Sequence, residues 1–142
     1  MTIAQAVRNL RAGRVQKTLS AVTAASAAPL AFEIYLEHYK GSFGDKWEWA
    51  PIWLTPAVVA AGVGGVYSER VAKTALPLTS ALYGACGVIG TVLHLRGVMR
   101  KPGGLREEPW YNLIMGPPLL APGSLTLVGG LGLVAPLMKR EK

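Results

Sequence analysis

The sequence has little charge, few acidic side chains and almost no cysteine or histidine. Charged residues are 16% of the chain, with 15 Lys and Arg against 8 Asp and Glu. The single cysteine, Cys86, lies in an apolar run, so no intramolecular disulfide can form and a small buried side chain is expected there. The motifs His-Glu-x-x-His, Gly-x-Ser-x-Gly, CxxC and a phosphate-binding glycine loop are also missing, so nothing indicates the enzyme classes that they define.

What the chain does have is apolar length between clusters of charge. Its mean hydropathy is +0.31, and its 142 residues include 17 glycines and 10 prolines, two residue types that are more frequent in membrane helices than in soluble ones. The gaps between charge clusters approach the roughly 20 residues that a helix needs to cross a bilayer. The sequence therefore predicts an all-α polytopic membrane protein, built as a four-helix transmembrane bundle.

One transmembrane domain, 19–138, is predicted between a basic N-terminal segment, 1–18, and a basic tail, 139–142. In the N-terminal segment, apolar side chains share one face and basic ones recur every third residue, which favours an amphipathic helix on a membrane surface. One alternative is a frayed, charged N-terminus. A second is a signal peptide, in which 19–28 belongs to a cleaved signal with its site near Ala25–Ala27. The four predicted spans are 19–38, 51–67, 74–95 and 117–138.

Two features of the spans concern packing. Small residues four apart, such as Ser80 and Gly84, allow helices to approach closely. Three prolines in 115–124 should break the last span, which we expect to start near Pro117 and to kink at Pro122. No internal sequence repeat is visible.

The distribution of basic residues predicts an orientation. With four spans, both termini share a side, and nine of the Lys and Arg fall on that side against six on the other. The positive-inside rule then places both termini in the cytoplasm. Short loops and a short chain favour a bacterial inner membrane. The nine are Arg8, Arg11, Arg14, Lys17, Arg70, Lys73, Lys139, Arg140 and Lys142.

Almost every side chain capable of chemistry is then expected at the outer face. The first and third spans run in the same direction, so His38 and His94 should lie at one depth. Both could be axial ligands of a haem b between these spans, with room left by Gly90 and with Arg96 and Arg100 meeting the propionates. The structural alternative is that both histidines are hydrogen-bonded interface residues.

A metal site is the second cofactor hypothesis. Glu33 and Glu37 lie one helical turn apart, and together with His38 and His94 they could ligate one or two metal ions. Only one such carboxylate–histidine motif is present, however. The alternative is that Glu33 is paired with a basic residue such as Arg96 to fix helix packing.

The functional interpretation is ranked. First comes a non-catalytic subunit or assembly factor of a larger membrane complex, because no complete catalytic constellation is visible and small residues favour helix contacts. Next comes an electron-transfer subunit associated with haem b or a quinone, and third a metal-dependent membrane enzyme or a small transporter. Lipid and other membrane chains are the expected partners, and nucleic acid is not. The predicted contact residues at the outer interface are Trp47, Trp49, Trp53 and Trp110.

Overall fold

The computed structural model describes residues 2–12 and 14–140, and every regular element in them is helical. Two short 3-10 turns, Lys46–Trp49 and Ala135–Leu137, adjoin the ends of longer helices. The α-helices are α1 (Ile3–Arg11), α2 (Val15–Lys40), α3 (Ala50–Tyr67), α4 (Glu69–Lys73), α5 (Ala75–Met99), α6 (Pro109–Met115) and α7 (Leu120–Val134).

Four of these helical segments are long and apolar enough to cross a membrane, which confirms the all-helical architecture and the number of candidate spans. Each holds at least the 18 residues that a minimal crossing requires. The four segments are Val15–Lys40, Lys46–Tyr67, Glu69–Met99 and Leu120–Leu137.

The helix boundaries differ from the predicted spans in ways that have local causes. Helix α2 begins at Val15 and continues through Pro29, so the helix includes the last residues of the predicted N-terminal segment. Helix α5 continues to Met99. Helix α7 begins at Leu120, which places Pro122 in the first turn, where its missing N–H costs no helical hydrogen bond. The expected kink at Pro122 therefore has no cause.

The four long helices close into a ring. Helix α2 packs against α3 and α5 packs against α7, and the contacts α2–α7 and α3–α5 join the two hairpins. Tyr83 is the largest fully buried side chain, and its hydroxyl lies 3.4 Å from Oγ1 of Thr55. The main apolar core surrounding it consists of Ala27, Ile34, Val58, Leu125 and Val128.

A polar clamp defines the end of the bundle where α2 starts and where α3 and α7 finish. The Arg140 guanidinium donates to the carbonyls of Gly65 and Val66, the last turn of α3. Nε2 of the buried Gln16 donates to the Met138 carbonyl at 3.2 Å. A cation on the carbonyls that end a helix satisfies them and opposes the negative end of the helix dipole.

The two hairpins bury equivalent positions, which the sequence did not reveal. Five of the buried positions of α2 recur 60 residues later in α5, and five of α3 recur 67 residues later in α7. The first set is Gln16, Ser20, Thr23, Ala24 and Ala27 with Leu76, Ser80, Tyr83, Gly84 and Gly87. The second set is Thr55, Val58, Ala61, Gly62 and Gly65 with Pro122, Leu125, Val128, Gly129 and Gly132.

Glycine contacts repeat along with burial. A Cβ on Gly62 would come within 2.8 Å of the Ser20 carbonyl oxygen, and a Cβ on Gly129 would come within 2.7 Å of that of Ser80. Three residues further on, Gly65 faces the Ser20 side chain. Its counterpart Gly132 faces the Ser80 side chain in the same way. The hairpins are thus two parallel copies of one packing motif, in which a serine on the first helix meets two glycines on the second.

Candidate functional site

The correspondence of buried positions between α2 and α5 no longer holds at the two histidines. Position 34 of α2 corresponds to position 94 of α5, and position 38 to position 98. Ile34 and Val98 are buried aliphatic residues, whereas their counterparts His94 and His38 are half-buried. Each helix therefore has one histidine and one buried aliphatic side chain here, in opposite order.

The structure brings the two predicted histidines together. Their ring centroids are 6.3 Å apart, with the planes at 75° to one another. Because an imidazole nitrogen binds a metal ion at about 2 Å, two imidazoles on opposite sides of one ion place their centroids roughly 6 Å apart. The spacing equals that of a bis-imidazole site, and it also lies in the roughly 4.5–7 Å range of an ordinary edge-to-face ring contact.

A cavity of about 590 Å³ lies beside the two rings. This volume falls within the roughly 300–1,000 Å³ of small-molecule and cofactor sites. Its wall comes from the ends of α2 and α5, the start of α7 and the 41–51 connection. The lining residues are Ile34, Glu37, His38, Gly41, Asp45, Trp47, Glu48, Pro51, Cys86, Gly90, Leu93, His94, Pro117, Pro118, Ala121, Pro122 and Leu125.

His94 is oriented by a backbone carbonyl. Its Nδ1 lies 2.6 Å from the carbonyl oxygen of Pro118, and since a carbonyl only accepts, Nδ1 must be the protonated nitrogen. The lone pair of the neutral ring is then on Nε2, which makes no hydrogen bond within the described chain. A metal-binding histidine almost always donates its other ring N–H in this way, which fixes the tautomer and raises ligand basicity.

His38 is held by packing rather than by a hydrogen bond. Its Nδ1 is buried, and no hydrogen-bond partner for it exists among the described residues. The Phe43 ring lies 6.1 Å from the imidazole and stacks on Trp49 at 4.0 Å. Ser42 and Phe43 both have positive φ, 58° and 47°, a conformation that non-glycine residues adopt at a cost. The aromatic contacts thus hold a strained turn over His38.

The residues of the metal hypothesis do not assemble as expected. Glu33 is exposed and does not line the cavity, while Glu37 lines it and pairs with Lys40. Over residues 2–12 and 14–140, no group of three or more His, Cys, Asp or Glu is arranged to hold a metal ion. Glu33, Glu37, His38 and His94 therefore do not form a common ligand set.

The predicted propionate partners also lie elsewhere. Arg96 and Arg100 are exposed and are not among the lining residues. The described lining contains no Lys or Arg, and its charged groups are the carboxylates of Glu37, Asp45 and Glu48. This lining therefore offers the propionates of a haem no basic partner.

The four tryptophans fall into two groups. Trp47 lines the cavity and Trp49 stacks on Phe43, so both belong to the site. Trp53 and Trp110 are 75% and 77% exposed, which leaves them available for lipid or a partner chain.

Pro117, Pro118 and Pro122 line one side of the cavity and form its proline wall. Sequence reasoning missed this wall and the role of the Pro118 carbonyl. The signal was Pro117, Pro118 and Pro122, which indicate that the last helix starts late. Pro118 precedes the N-cap Leu119 of α7, so its carbonyl takes no part in the helical hydrogen bonds. That carbonyl is therefore free to accept another donor, although the sequence did not say which.

Comparison with protein-family models, with curated proteins and with solved structures gives no match, so the site is interpreted from its own residues.

Proposed function

We propose that this chain is a small integral membrane subunit for electron transfer, which holds a haem b between His38 and His94. The observation that carries the proposal is the pair of imidazoles with centroids 6.3 Å apart beside a cavity of about 590 Å³. When bound, such a group supplies one-electron redox chemistry. The imidazoles of His38 and His94 would hold it, and the chain contributes an apolar wall from residues such as Ile34 and Leu125.

Two further features support this proposal. The Nδ1–H of His94 is bonded to a backbone carbonyl, as in metal-binding histidines. Ile34, Leu93 and Leu125 give the cavity an apolar wall, and burial is one of the factors that set the potential of a redox group. Gly90 lines the cavity but does not leave the expected room, because an added Cβ there would lie 2.9 Å from Cβ of Pro122.

The membrane setting is part of the same proposal. Four long apolar helices support a location in a bilayer. The excess of Lys and Arg on the side of the termini supports an orientation with both termini in the cytoplasm and the cavity at the outer face of a bacterial inner membrane. The exposed α1 then lies along the cytoplasmic surface. Lipid surrounds the bundle, and other membrane chains deliver or accept the electrons.

The test is a dithionite-reduced minus oxidised absorption spectrum of the gently solubilised protein from haem-supplied cells. We expect a sharp α-band that is lost in both His38→Ala and His94→Ala. The matched control is Arg96→Gln, which alters an exposed residue outside the cavity and should leave the band unchanged. If the wild-type protein is present in the membrane fraction and its difference spectrum is flat, the haem assignment is refuted.

A quinone is the second ligand of the same redox class, and it is favoured by the lack of basic residues in the lining. Trp47 provides the probe, since it lines the cavity. If menadione, a soluble naphthoquinone, quenches Trp47 emission saturably and the quenching disappears in Trp47→Phe but not in Trp53→Phe, the cavity is a quinone site.

The second candidate function is a non-catalytic subunit or assembly factor. The exposed Trp53 and Trp110 support it, because aromatic anchors of this kind often contact partner chains. It predicts no chromophore, no menadione quenching, and a defined set of copurifying membrane proteins that is lost in Trp53→Ala or Trp110→Ala.

A further inference from the structure

We propose that Gly97 is a positioning residue for His94: it lets Pro117 pack against α5, and this contact sets the Pro118 carbonyl that holds the imidazole. Only the last consequence, the effect on a bound haem, rests on the proposed function. The effect on the histidine itself is a property of the chain alone.

The first step is the contact between Gly97 and Pro117. Gly97 lies three residues after His94, in the next turn of α5. A Cβ added to Gly97 would be 2.8 Å from Cγ of Pro117, closer than real side-chain contacts allow. Because the pyrrolidine ring is closed onto its own backbone, Cγ of Pro117 can move only by the small shift of a change in ring pucker. Fuller relief must come from movement of the main chain.

The second step is that the main chain at 116–118 has little freedom. Gly116 sits against the carbonyl of Asn112, where a Cβ would clash. Asn112 is buried, and its Nδ2 donates to the carbonyls of Pro102 and Gly104 at 2.8 Å each. The segment is thus fixed on one side by α6 and the 102–104 turn, and on the other by Gly97.

The third step joins this segment to His94. The residue after Pro117 is Pro118, whose carbonyl accepts the His94 Nδ1–H at 2.6 Å. Because Pro118 precedes the N-cap of α7, this carbonyl takes no part in the helical hydrogen bonds. The small size of Gly97 therefore determines where Pro117 and Pro118 lie. The Pro118 carbonyl in turn orients the His94 imidazole, which is one helical turn before Gly97.

An alanine at Gly97 should displace Pro117 and the Pro118 carbonyl with it. His94 then loses the acceptor that favours the Nδ1–H form, and its ring samples the other tautomer and other rotamers. In a haem-loaded protein the axial nitrogen would be less well aligned. Loss of such an outer-shell partner lowers the affinity of a bound metal group by about 10- to 100-fold.

The decisive measurement is the His94 tautomer in the cofactor-free protein. The chain has two histidines, so a His38→Ala background leaves one ring signal in a ¹⁵N-histidine NMR spectrum recorded in micelles at alkaline pH. We expect the Nδ1–H form in the parent and a mixture dominated by Nε2–H in Gly97→Ala. Gly123→Ala and Gly130→Ala are matched controls, because an added Cβ at either position meets nothing within 4 Å.

A second variant relieves the proposed clash. Pro117→Ala removes the Cγ that the new methyl group would meet, so Gly97→Ala/Pro117→Ala should recover the parent tautomer. The inference is overturned if Gly97→Ala keeps the parent tautomer, or if the double variant fails to recover it while remaining folded by circular dichroism.

A third variant covers the case in which Gly97→Ala does not fold. Pro117→Gly removes the ring that packs against Gly97 and adds no atom, so the Pro118 carbonyl loses the contact that sets it. We expect it to shift the tautomer towards Nε2–H, and an unchanged tautomer would overturn the role of that contact. A protein without haem but with these tautomer shifts would refute the proposed function and leave this inference standing.

Discussion

The hairpin of α2 and α3 and the hairpin of α5 and α7 are alike at one end of the bundle and unlike at the other. At the end with the Arg140 clamp, Ser20 with Gly62 and Gly65 makes the same contacts as Ser80 with Gly129 and Gly132. At the cavity end the correspondence fails, because the histidine of each helix occupies the position at which the other helix has an aliphatic residue. The shared end is explained by packing alone, and the unlike end contains the candidate site.

The comparison shows at which end of the bundle helix packing limits the choice of residue type and at which end it does not. Between helices in lipid, close approach provides van der Waals contact and requires small residues at the crossing. A bundle that needed only packing would keep equivalent aliphatic residues at 34, 38, 94 and 98. Departures from local rules are expected at functional sites, which strengthens the assignment of His38 and His94 to a ligand.

Even where the two hairpins are alike, the two helices of each hairpin do not approach each other equally closely. The first has Ala24 and Ala27 where the second has Gly84 and Gly87. A Cβ on Gly87 would come within 2.5 Å of the Thr126 nitrogen, so α5 and α7 touch backbone to backbone. The tighter hairpin is the one that supplies both the His94 ring and the proline wall.

The largest effect, on the haem spectrum, is expected when each histidine is replaced by the aliphatic residue at the equivalent position of the other hairpin. His94→Ile and His38→Val give each helix the residue that its counterpart has, and both should abolish the haem spectrum completely, because each removes an axial nitrogen. The free energy of unfolding, measured by SDS titration in mild micelles, should stay equal or rise, since Ile and Val are buried at the equivalent positions. A retained spectrum in either variant would show that the histidine is not a ligand.

Next in size is the exchange of alanine and glycine between hairpins. Gly87→Ala forces a methyl group against backbone atoms of α7 and should cost about 1–3 kcal/mol of unfolding free energy. The reverse change, Ala27→Gly, should cost about 1 kcal/mol through helix propensity alone. Equal losses in the same SDS titration would mean that the two crossings are equally close.

The clamp tests the end that the hairpins share. Arg140→Ala removes hydrogen bonds to the Gly65 and Val66 carbonyls and should lower the unfolding free energy by about 1.5–3 kcal/mol, the range for hydrogen bonds to a charged group. Lys139→Ala is the matched control, because Lys139 is exposed and has the same charge. The two variants should differ clearly in thermal unfolding, and no difference would show that the clamp does not stabilise the bundle.

The smallest effect is expected at a glycine outside the repeated contacts. Gly130 adjoins Gly129, but an added Cβ at Gly130 meets nothing within 4 Å. Gly130→Ala should therefore leave stability unchanged or raise it by up to about 1 kcal/mol through helix propensity. Gly129→Ala, which would push a methyl group to 2.7 Å from the Gly84 backbone, should instead destabilise the bundle, and thermal melts of the pair give the comparison directly.

The sequence by itself determined the helical class, the number of long apolar helices and the identity of the two histidines. Hydropathy and charge spacing are local properties, and they set where a chain can cross an apolar phase. Counting spans predicted that His38 and His94 lie at one depth, since two helices that run in the same direction end on the same side. The approach of their rings to 6.3 Å is a property of the tertiary structure.

Only the tertiary structure decided the rest of the site. The burial repeat is hidden in the sequence because equivalent positions share burial rather than identity. Alanine and glycine satisfy the same steric limit at a crossing, as at Ala24 and Gly84, and Thr23 and Tyr83 differ even in size. Arg96 and Arg100 were expected at the cavity but face outward, because the direction of a side chain at a helix end depends on which neighbours pack there. The Pro118 carbonyl reaches His94 only because Gly97 admits Pro117, and a contact between residues 20 or more positions apart in the chain has no local signal.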